Sequence, residues 1–264
     1  MNLNIVNKLK KSGITSISQC LNENQINFLG QKIKKFNKSK GDSGSHLPIS
    51  YLSIFIKILK FQFKDIILGL YLKRLSKKLN LKQIASDFFD TESELVDADV
   101  YVSEKSNSPV LDWHVDKAYS GKKNVTEFVK ADDFGLKFIF YLTDVDRNNG
   151  CLKYVPFSNK VAFALKKGIY ENKIKYLPYW KKSDFCKMVN SNEKYISNEV
   201  NSETLENFKK QIEKLEKSND PSEFSYEIKN GGAVVFDESG LHKGTEPKNN
   251  DRLVFRYIYK KVKQ

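Results

Sequence analysis

The sequence predicts an α+β fold, with helices first and a sandwich or double-sheet barrel of short strands after them. Three observations predict it. Apolar residues recur at helical spacing through roughly the first hundred positions. From about Val96 the period shortens to the alternation of half-buried strands. Turn-forming residues then punctuate the chain at intervals of about 8 to 12 residues. With 264 residues, 40% of them hydrophobic, the chain can build one large domain with a sizeable core.

Residues 1–20 read as a short, strand-like lead-in. From Asn22 a helical pattern begins, with Ile26, Leu29, Ile33 and Phe36 near one face, and the Gly/Ser stretch 38–45 ends it. Residues 51–78 are apolar enough for one or two buried helices, and 81–89 read as another before Asp90. This part is expected to bury another layer's apolar face and to carry no chemistry.

The strands then take over. Residues 97–102 alternate, and a turn at 106–109 leads into 111–116. The aromatic run 136–142, the turn 146–150 and the run 151–156 read as a hairpin with Asn149-Gly150 at its tip. Residues 157–222 are polar, lysine-rich and partly helical, most clearly at 203–217 with its i,i+4 charge pairs. Such a long excursion between strands reads as a lid or binding insertion. Strands return at 224–228, 231–237 and 241–244, and after a Pro247/Asn249-Asn250 turn the last runs from Arg252 to Tyr259.

Composition narrows the function classes. Cys20, Cys151 and Cys186 are odd in number and widely spaced, which argues for free thiols in a reducing, cytoplasmic setting and against zinc or disulfides. Residues 1–13 lack the apolar core of a secretory signal. The formal net charge of +13 is almost all lysine spread along the chain, the arginines being Arg74, Arg147, Arg252 and Arg256. Without clustered Arg/Lys among exposed aromatics, no nucleic-acid partner is expected; a small, anionic substrate suits the charge better. The apolar run 51–72 is broken by Lys57, Lys60, Lys64 and Asp65, so it is not expected to span a bilayer, and no membrane partner is expected.

The chemistry concentrates in Leu111-Asp112-Trp113-His114-Val115-Asp116. His114 and Asp116, at i and i+2, point to one face of a strand. Two imidazoles and one carboxylate hold a ferrous ion on one side and leave its other positions open. Of the three histidines, His46 lies in the Gly/Ser loop, so His242 is the candidate third ligand, 242 − 116 = 126 residues beyond Asp116. Arg252 follows His242 across a turn, where a hairpin would return it to the same cavity. Its planar fork suits a carboxylate, and Arg256 shares its face as the second choice. Each residue also has a plainer reading: a solvated strand end for the H-x-D, a surface histidine beside a turn for His242, and a pair with Asp251 or Glu246 for Arg252. Trp113 and Tyr119 read as core or cavity wall. In the insertion, Lys166, Lys167, Tyr170, Tyr176, Tyr179 and Trp180 suit either an anionic or sugar-like ligand or a solvated helical surface.

Trp113-His114-Val115-Asp116 resembles the W-H-x-D signature of the phytanoyl-CoA dioxygenase family of iron(II)/2-oxoglutarate oxygenases. Three further runs resemble that family's "aLtDv…nGpL…vPGSH" stretch: 140–145, 149–152 and 155–158. Gly232 to Asp237, His242, Gly244, Pro247-Lys248-Asn249 and Arg252 resemble its "Gd-vlFd…H-g…pN…R" ending. The likeness runs in order over roughly residues 20–260. One departure is Phe157-Ser158-Asn159, where the family usually has Gly-Ser-His.

The resemblance implies a double-stranded β-helix (jelly roll, cupin-like) core with N-terminal helices packed on one sheet and a helical insertion. It implies a single domain over 1–264: 1–95 mainly helical, 96–156 and 223–264 jelly-roll strands, and 157–222 the insertion or lid. It further implies Fe(II) held by His114, Asp116 and His242, and 2-oxoglutarate chelating the iron with its 5-carboxylate on Arg252. With O2, 2-oxoglutarate would be decarboxylated to succinate as a small-molecule substrate is hydroxylated. Halogenases resembling the family lack the carboxylate, so Asp116 points to hydroxylation or a related oxidation. The competing expectation is a non-catalytic jelly-roll binding protein with a degenerate metal site.

Overall fold

A computed structural model describes residues 2–40, 45–116, 134–177, 179, 181–218 and 222–262. Tyr119 and Trp180 lie outside the described residues. Two antiparallel sheets face each other. The larger has the order β1 (Ile14–Ile17), β8 (Ala233–Asp237), β5 (Leu136–Tyr141), β10 (Arg252–Lys261), β3 (Ser93–Ser103), β2 (Ser45–His46). The smaller has the order β4 (Leu111–His114), β9 (His242–Gly244), β6 (Leu152–Tyr154), β7 (Ser225–Tyr226). Strands consecutive in the chain alternate between the sheets from β3 to β6, the pattern of a jelly roll.

That alternation overturns the expected hairpin at 136–156. β5 pairs with β8 and β10, whereas β6 pairs with β7 and β9. Asn149-Gly150 therefore carries the chain from one sheet to the other. β9 and β10 likewise lie in different sheets, so Arg252 does not return toward His242 along a hairpin. Turn chemistry is the same in both cases; burying two apolar faces against each other decides which strands pair.

The helices follow the apolar spacing. α1 (Asn2–Ser12) precedes β1 where only a strand-like lead-in was expected, because Ile5, Val6 and Leu9 share one buried helical face. α2 (Glu23–Lys40) starts at Asn22, whose side chain accepts from Gln25 N at 2.9 Å while its own N–H donates to Gln25 Oε1 at 3.0 Å. α3 (Tyr51–Leu59), α4 (Phe63–Lys78) and α5 (Leu81–Phe89) complete the N-terminal layer. α4 and α5 bury Leu68, Leu72, Leu75, Ile84 and Phe89 against Phe138, Phe140, Phe255 and Tyr257 of the larger sheet. α3, expected to be buried, has no buried residue.

Alternate residues of the same strands face inward. Ile139, Tyr141, Val234, Phe236 and Val254 meet Leu152 and Tyr154 of the smaller sheet. Among the described residues, the insertion carries four helices: α6 (Ser158–Tyr170), α7 (Lys182–Ser191), α8 (Glu193–Val200) and α9 (Ser202–Lys217). Its core includes Val115, Val155 and Leu241, and the backbone at Lys181 bridges to His114 on edge strand β4. In the core under the N-terminal helices, Phe140 stacks on Phe255 at 4.8 Å and 3°, both fully buried. Phe140→Ala is expected to cost about 3–5 kcal/mol, read as a lowered midpoint in urea unfolding.

Candidate metal centre

β4 and β9 are neighbours, and their register sets His114 directly opposite His242. The rings lie 4.2 Å apart at 53°. Asp116 sits in the turn just past β4, two residues beyond His114. His114 Nε2 is 3.5 Å from Asp116 Oδ1 and His242 Nε2 is 3.4 Å from Asp116 Oδ2. Ligand atoms of all three residues lie within 4.8 Å of one another. Both histidines are buried. A second grouping, His46, Asp97 and Asp99, offers less: His46 is exposed and hydrogen-bonded to Asp97, and Asp99 is already bound by Arg256.

The imidazoles are oriented by the backbone. His114 Nδ1 donates to the Asp112 carbonyl at 2.6 Å and His242 Nδ1 to the Gly240 carbonyl at 2.8 Å. Carbonyl oxygens only accept, so each Nδ1 carries the proton and each Nε2 faces the carboxylate. Burial pushes the His242 pKa down against the pull of Asp116, which leaves its Nε2 an unprotonated lone pair. Burial alone would raise the Asp116 pKa, but the Lys137 ammonium holds it well below the usual carboxylate range. Lone pairs aimed at an ionised carboxylate in a buried space repel one another unless a cation lies among them. The N, N, O set fits a divalent ion such as Fe(II).

Glycine 240 makes this arrangement possible. A Cβ there would meet Tyr154 Oη at 1.9 Å, in the turn where Ser239 N and Oγ donate to Asp237 at 2.9 and 2.6 Å. Gly240→Ala is therefore expected to displace the carbonyl that orients His242. Metal affinity should fall about 10- to 100-fold, as on losing an outer partner of a ligand, measured by calorimetric titration.

Arg252 is buried between the sheets, on the face it shares with Val254 and Arg256. Its Nη1 donates to the Gly150 carbonyl at 2.9 Å and its Nη2 to Tyr101 Oη at 3.0 Å. Gly150 has φ +75, and a Cβ there would lie 2.8 Å from Arg252 Cδ, so the Asn-Gly step serves to seat this arginine. Among the described residues, Arg252 Nε and the buried Tyr141 hydroxyl have no hydrogen-bond partner. Arg256 is committed elsewhere, gripping Asp99 through Nε and Nη2. The pairs expected between Arg252 and Asp251 or Glu246 do not form: Asp251 accepts from Lys105 N, and Glu246 from Lys243.

The description of the phytanoyl-CoA dioxygenase (PhyH) family matches residues 72–253. The chain belongs to the phytanoyl-CoA dioxygenase family. The matched span contains His114, Asp116, His242 and Arg252. No curated protein matches the chain in sequence. Solved structures share its fold at low identity. The epimerase SnoN, in complex with Fe3+, α-ketoglutarate and nogalamycin RO, is 11% identical with a TM-score of 0.58, covering 98% of this chain and 83% of that one. EvdO2 from Micromonospora carbonacea var. aurantiaca is 15% identical with a TM-score of 0.57, covering 98% and 90%. HygX from Streptomyces hygroscopicus, with nickel and 2-oxoglutarate bound, is 12% identical with a TM-score of 0.51, covering 98% and 87%.

Against the usual Gly-Ser-His of the phytanoyl-CoA dioxygenase family, the departure at 157–159 has a physical content. Phe157 adopts φ +68, a left-handed conformation that favours glycine and strains a bulky residue. Ser158 keeps a role, its Oγ accepting from Leu241 N at 2.8 Å, next to His242. Asn159 donates to Asp237 at 3.1 Å. Lys137 went unnoticed in the sequence. It contacts Asp116 Oδ2 and lies 3.5 Å from Glu238 Oε2. Its signal was a lone charge in the apolar run 136–142, on the inward alternation with Ile139 and Tyr141.

Proposed function

We propose that this protein is an Fe(II)- and 2-oxoglutarate-dependent oxygenase that hydroxylates a small molecule. The observation that carries it is the convergence of His114, Asp116 and His242 from β4, its following turn and β9. In this reading His114 Nε2, His242 Nε2 and the Asp116 carboxylate hold the iron. When bound, iron and 2-oxoglutarate supply an oxidant for a C–H bond as O2 is consumed and 2-oxoglutarate is decarboxylated to succinate.

The chain's own residues do the rest. The Asp112 and Gly240 carbonyls aim the imidazoles. Lys137 keeps Asp116 ionised and holds one of its oxygens. Arg252, its Nη groups braced on Gly150 and Tyr101 and its Nε unpartnered among the described residues, would take the 5-carboxylate of 2-oxoglutarate, with the Tyr141 hydroxyl as a further donor. The engagement of Arg256 with Asp99 favours Arg252 over Arg256 for this task. The helices of the insertion pack over Val115 and Leu241 beside two of the ligands, which suits a cover that keeps water out. Asp116 occupies the position that halogenases of similar sequence leave open, which supports hydroxylation. Since SnoN, of the same fold, is an epimerase, product analysis decides the outcome.

The test is succinate release from 2-oxoglutarate by the Fe(II)-reconstituted protein under air, screened against a panel of small metabolites. Iron-dependent 2-oxoglutarate binding and a product heavier by one oxygen atom are the expected results. Metal-loaded protein that binds no 2-oxoglutarate in calorimetry would instead support the non-catalytic binding protein.

A further inference from the structure

A helix as rich in apolar residues as α3 (Tyr51–Leu59) belongs in an interior, yet none of its residues is buried, and only the side carrying Ser53, Ile54 and Lys57 is half-covered. Tyr51, Leu52, Phe55 and Leu59 are each more than half exposed. The apolar surface continues through Phe61 and Phe63, whose rings meet edge-on at 6.3 Å. It then runs along α4, where Phe63, Ile67 and Leu70 (i, i+4, i+7) form one exposed stripe. More than half of the exposed large hydrophobic side chains among the described residues lie between positions 51 and 70. The face is firmly built: Ser50 and Ser53 cap α3 reciprocally, Lys57 binds Asp65 at 2.8 Å, and Leu68, Leu72 and Leu75 anchor α4 in the core.

The charge around it has one sign. Beside the stripe lies a groove of about 330 Å³ between α2 and α4, with Phe28, Leu68 and Tyr71 on its walls and Lys32, Lys35 and Lys64 at its rim. Lys60 stands exposed at the turn. From residue 51 to 86 the sole acid is Asp65, which is buried and taken by Lys57. A second copy of the chain would set these lysines against their equals, at a cost. Apolar side chains ringed by lysines are instead the pattern of a helix lying in the plane of an anionic bilayer surface. α3 is only about 14 Å long, and no described helix is long and apolar enough to cross a membrane.

We propose that the α3–α4 face docks on anionic lipid surfaces, with Leu59, Phe61 and Phe63 inserted among the acyl chains and Lys60, Lys64 and the groove lysines on lipid phosphates. This revises the expectation of no membrane contact and stands apart from the metal centre. The experiment is co-sedimentation of the full chain with phosphatidylcholine vesicles, with and without phosphatidylserine, at low and high salt. Binding is expected to need phosphatidylserine and to weaken as salt screens the charges. The double substitution Leu59→Ser/Phe61→Ser should weaken it about tenfold or more. Lys60→Gln and Lys64→Gln should each weaken it about fivefold. Unchanged thermal unfolding and metal binding would show these variants folded. No sedimentation with phosphatidylserine vesicles at low salt, equal binding to pure phosphatidylcholine, or parental binding by the double variant would each overturn the proposal. So would a dimer in light scattering that Leu59→Ser/Phe61→Ser dissolves, which would assign the face to a second copy.

Discussion

His242→Gln is expected to abolish high-affinity metal binding and, with it, 2-oxoglutarate turnover. The imidazole is buried against Phe236 at 5.0 Å and Tyr154 at 6.4 Å between ring centroids, and glutamine keeps much of that volume. Loss of a ligand should exceed the roughly 10- to 100-fold penalty of losing an outer partner. Succinate release should fall to the level of iron-free protein. Titration of the purified variant with Fe(II) or a spectroscopically convenient divalent ion reads the affinity directly. His46→Gln is the matched control: its side chain is 73% exposed and bonded to Asp97, so metal binding and turnover should not change. Parental metal affinity in His242→Gln would remove the triad and the oxygenase reading with it.

Arg252→Gln is expected to raise the dissociation constant of 2-oxoglutarate about 100-fold or more, with metal affinity largely kept. A charge-assisted, two-point grip on a carboxylate is worth several kcal/mol in a buried site, and each 1.4 kcal/mol is tenfold. Part of the effect is positional, since the Gly150 carbonyl and Tyr101 hydroxyl also lose their donors. Calorimetry of 2-oxoglutarate binding to metal-loaded protein separates this from a general loss of stability, which thermal unfolding reports. An unchanged 2-oxoglutarate affinity would move the carboxylate to another cation. A large loss in Arg256→Gln would not by itself do so, because Asp99, almost wholly buried, would be left without its cation.

Much of the architecture was legible because it is written in neighbouring residues. The helix at 81–89, the start of α2 at Asn22 and the strands around His114, Val234 and Val254 follow from spacing and caps within a few positions. The jelly-roll class came through the motif resemblance, whose order along the chain is also local information. The errors lie where pairing is remote. The 136–156 segment has every mark of a hairpin, yet its two strands go to opposite sheets, since sandwich burial outweighs a favourable turn. The burial expected of residues 51–59 failed for a related reason: apolar composition says that a helix wants cover, and only packing says whether the chain provides it.

By itself the sequence singled out His114 and Asp116 by their two-residue spacing, although the strand ends at His114 and Asp116 comes from the turn that follows. It also singled out His242 and Arg252, being so poor in histidine and arginine. Tertiary structure alone decided that β4 lies beside β9 in a register facing His114 to His242, and that two backbone carbonyls turn both Nε2 atoms inward. It alone brought Lys137 to Asp116 and left Arg252 Nε without a partner among the described residues while Arg256 was tied to Asp99. The reason is physical: distances between residues more than a hundred positions apart are set by which apolar faces bury each other, a global balance that no short window of sequence contains.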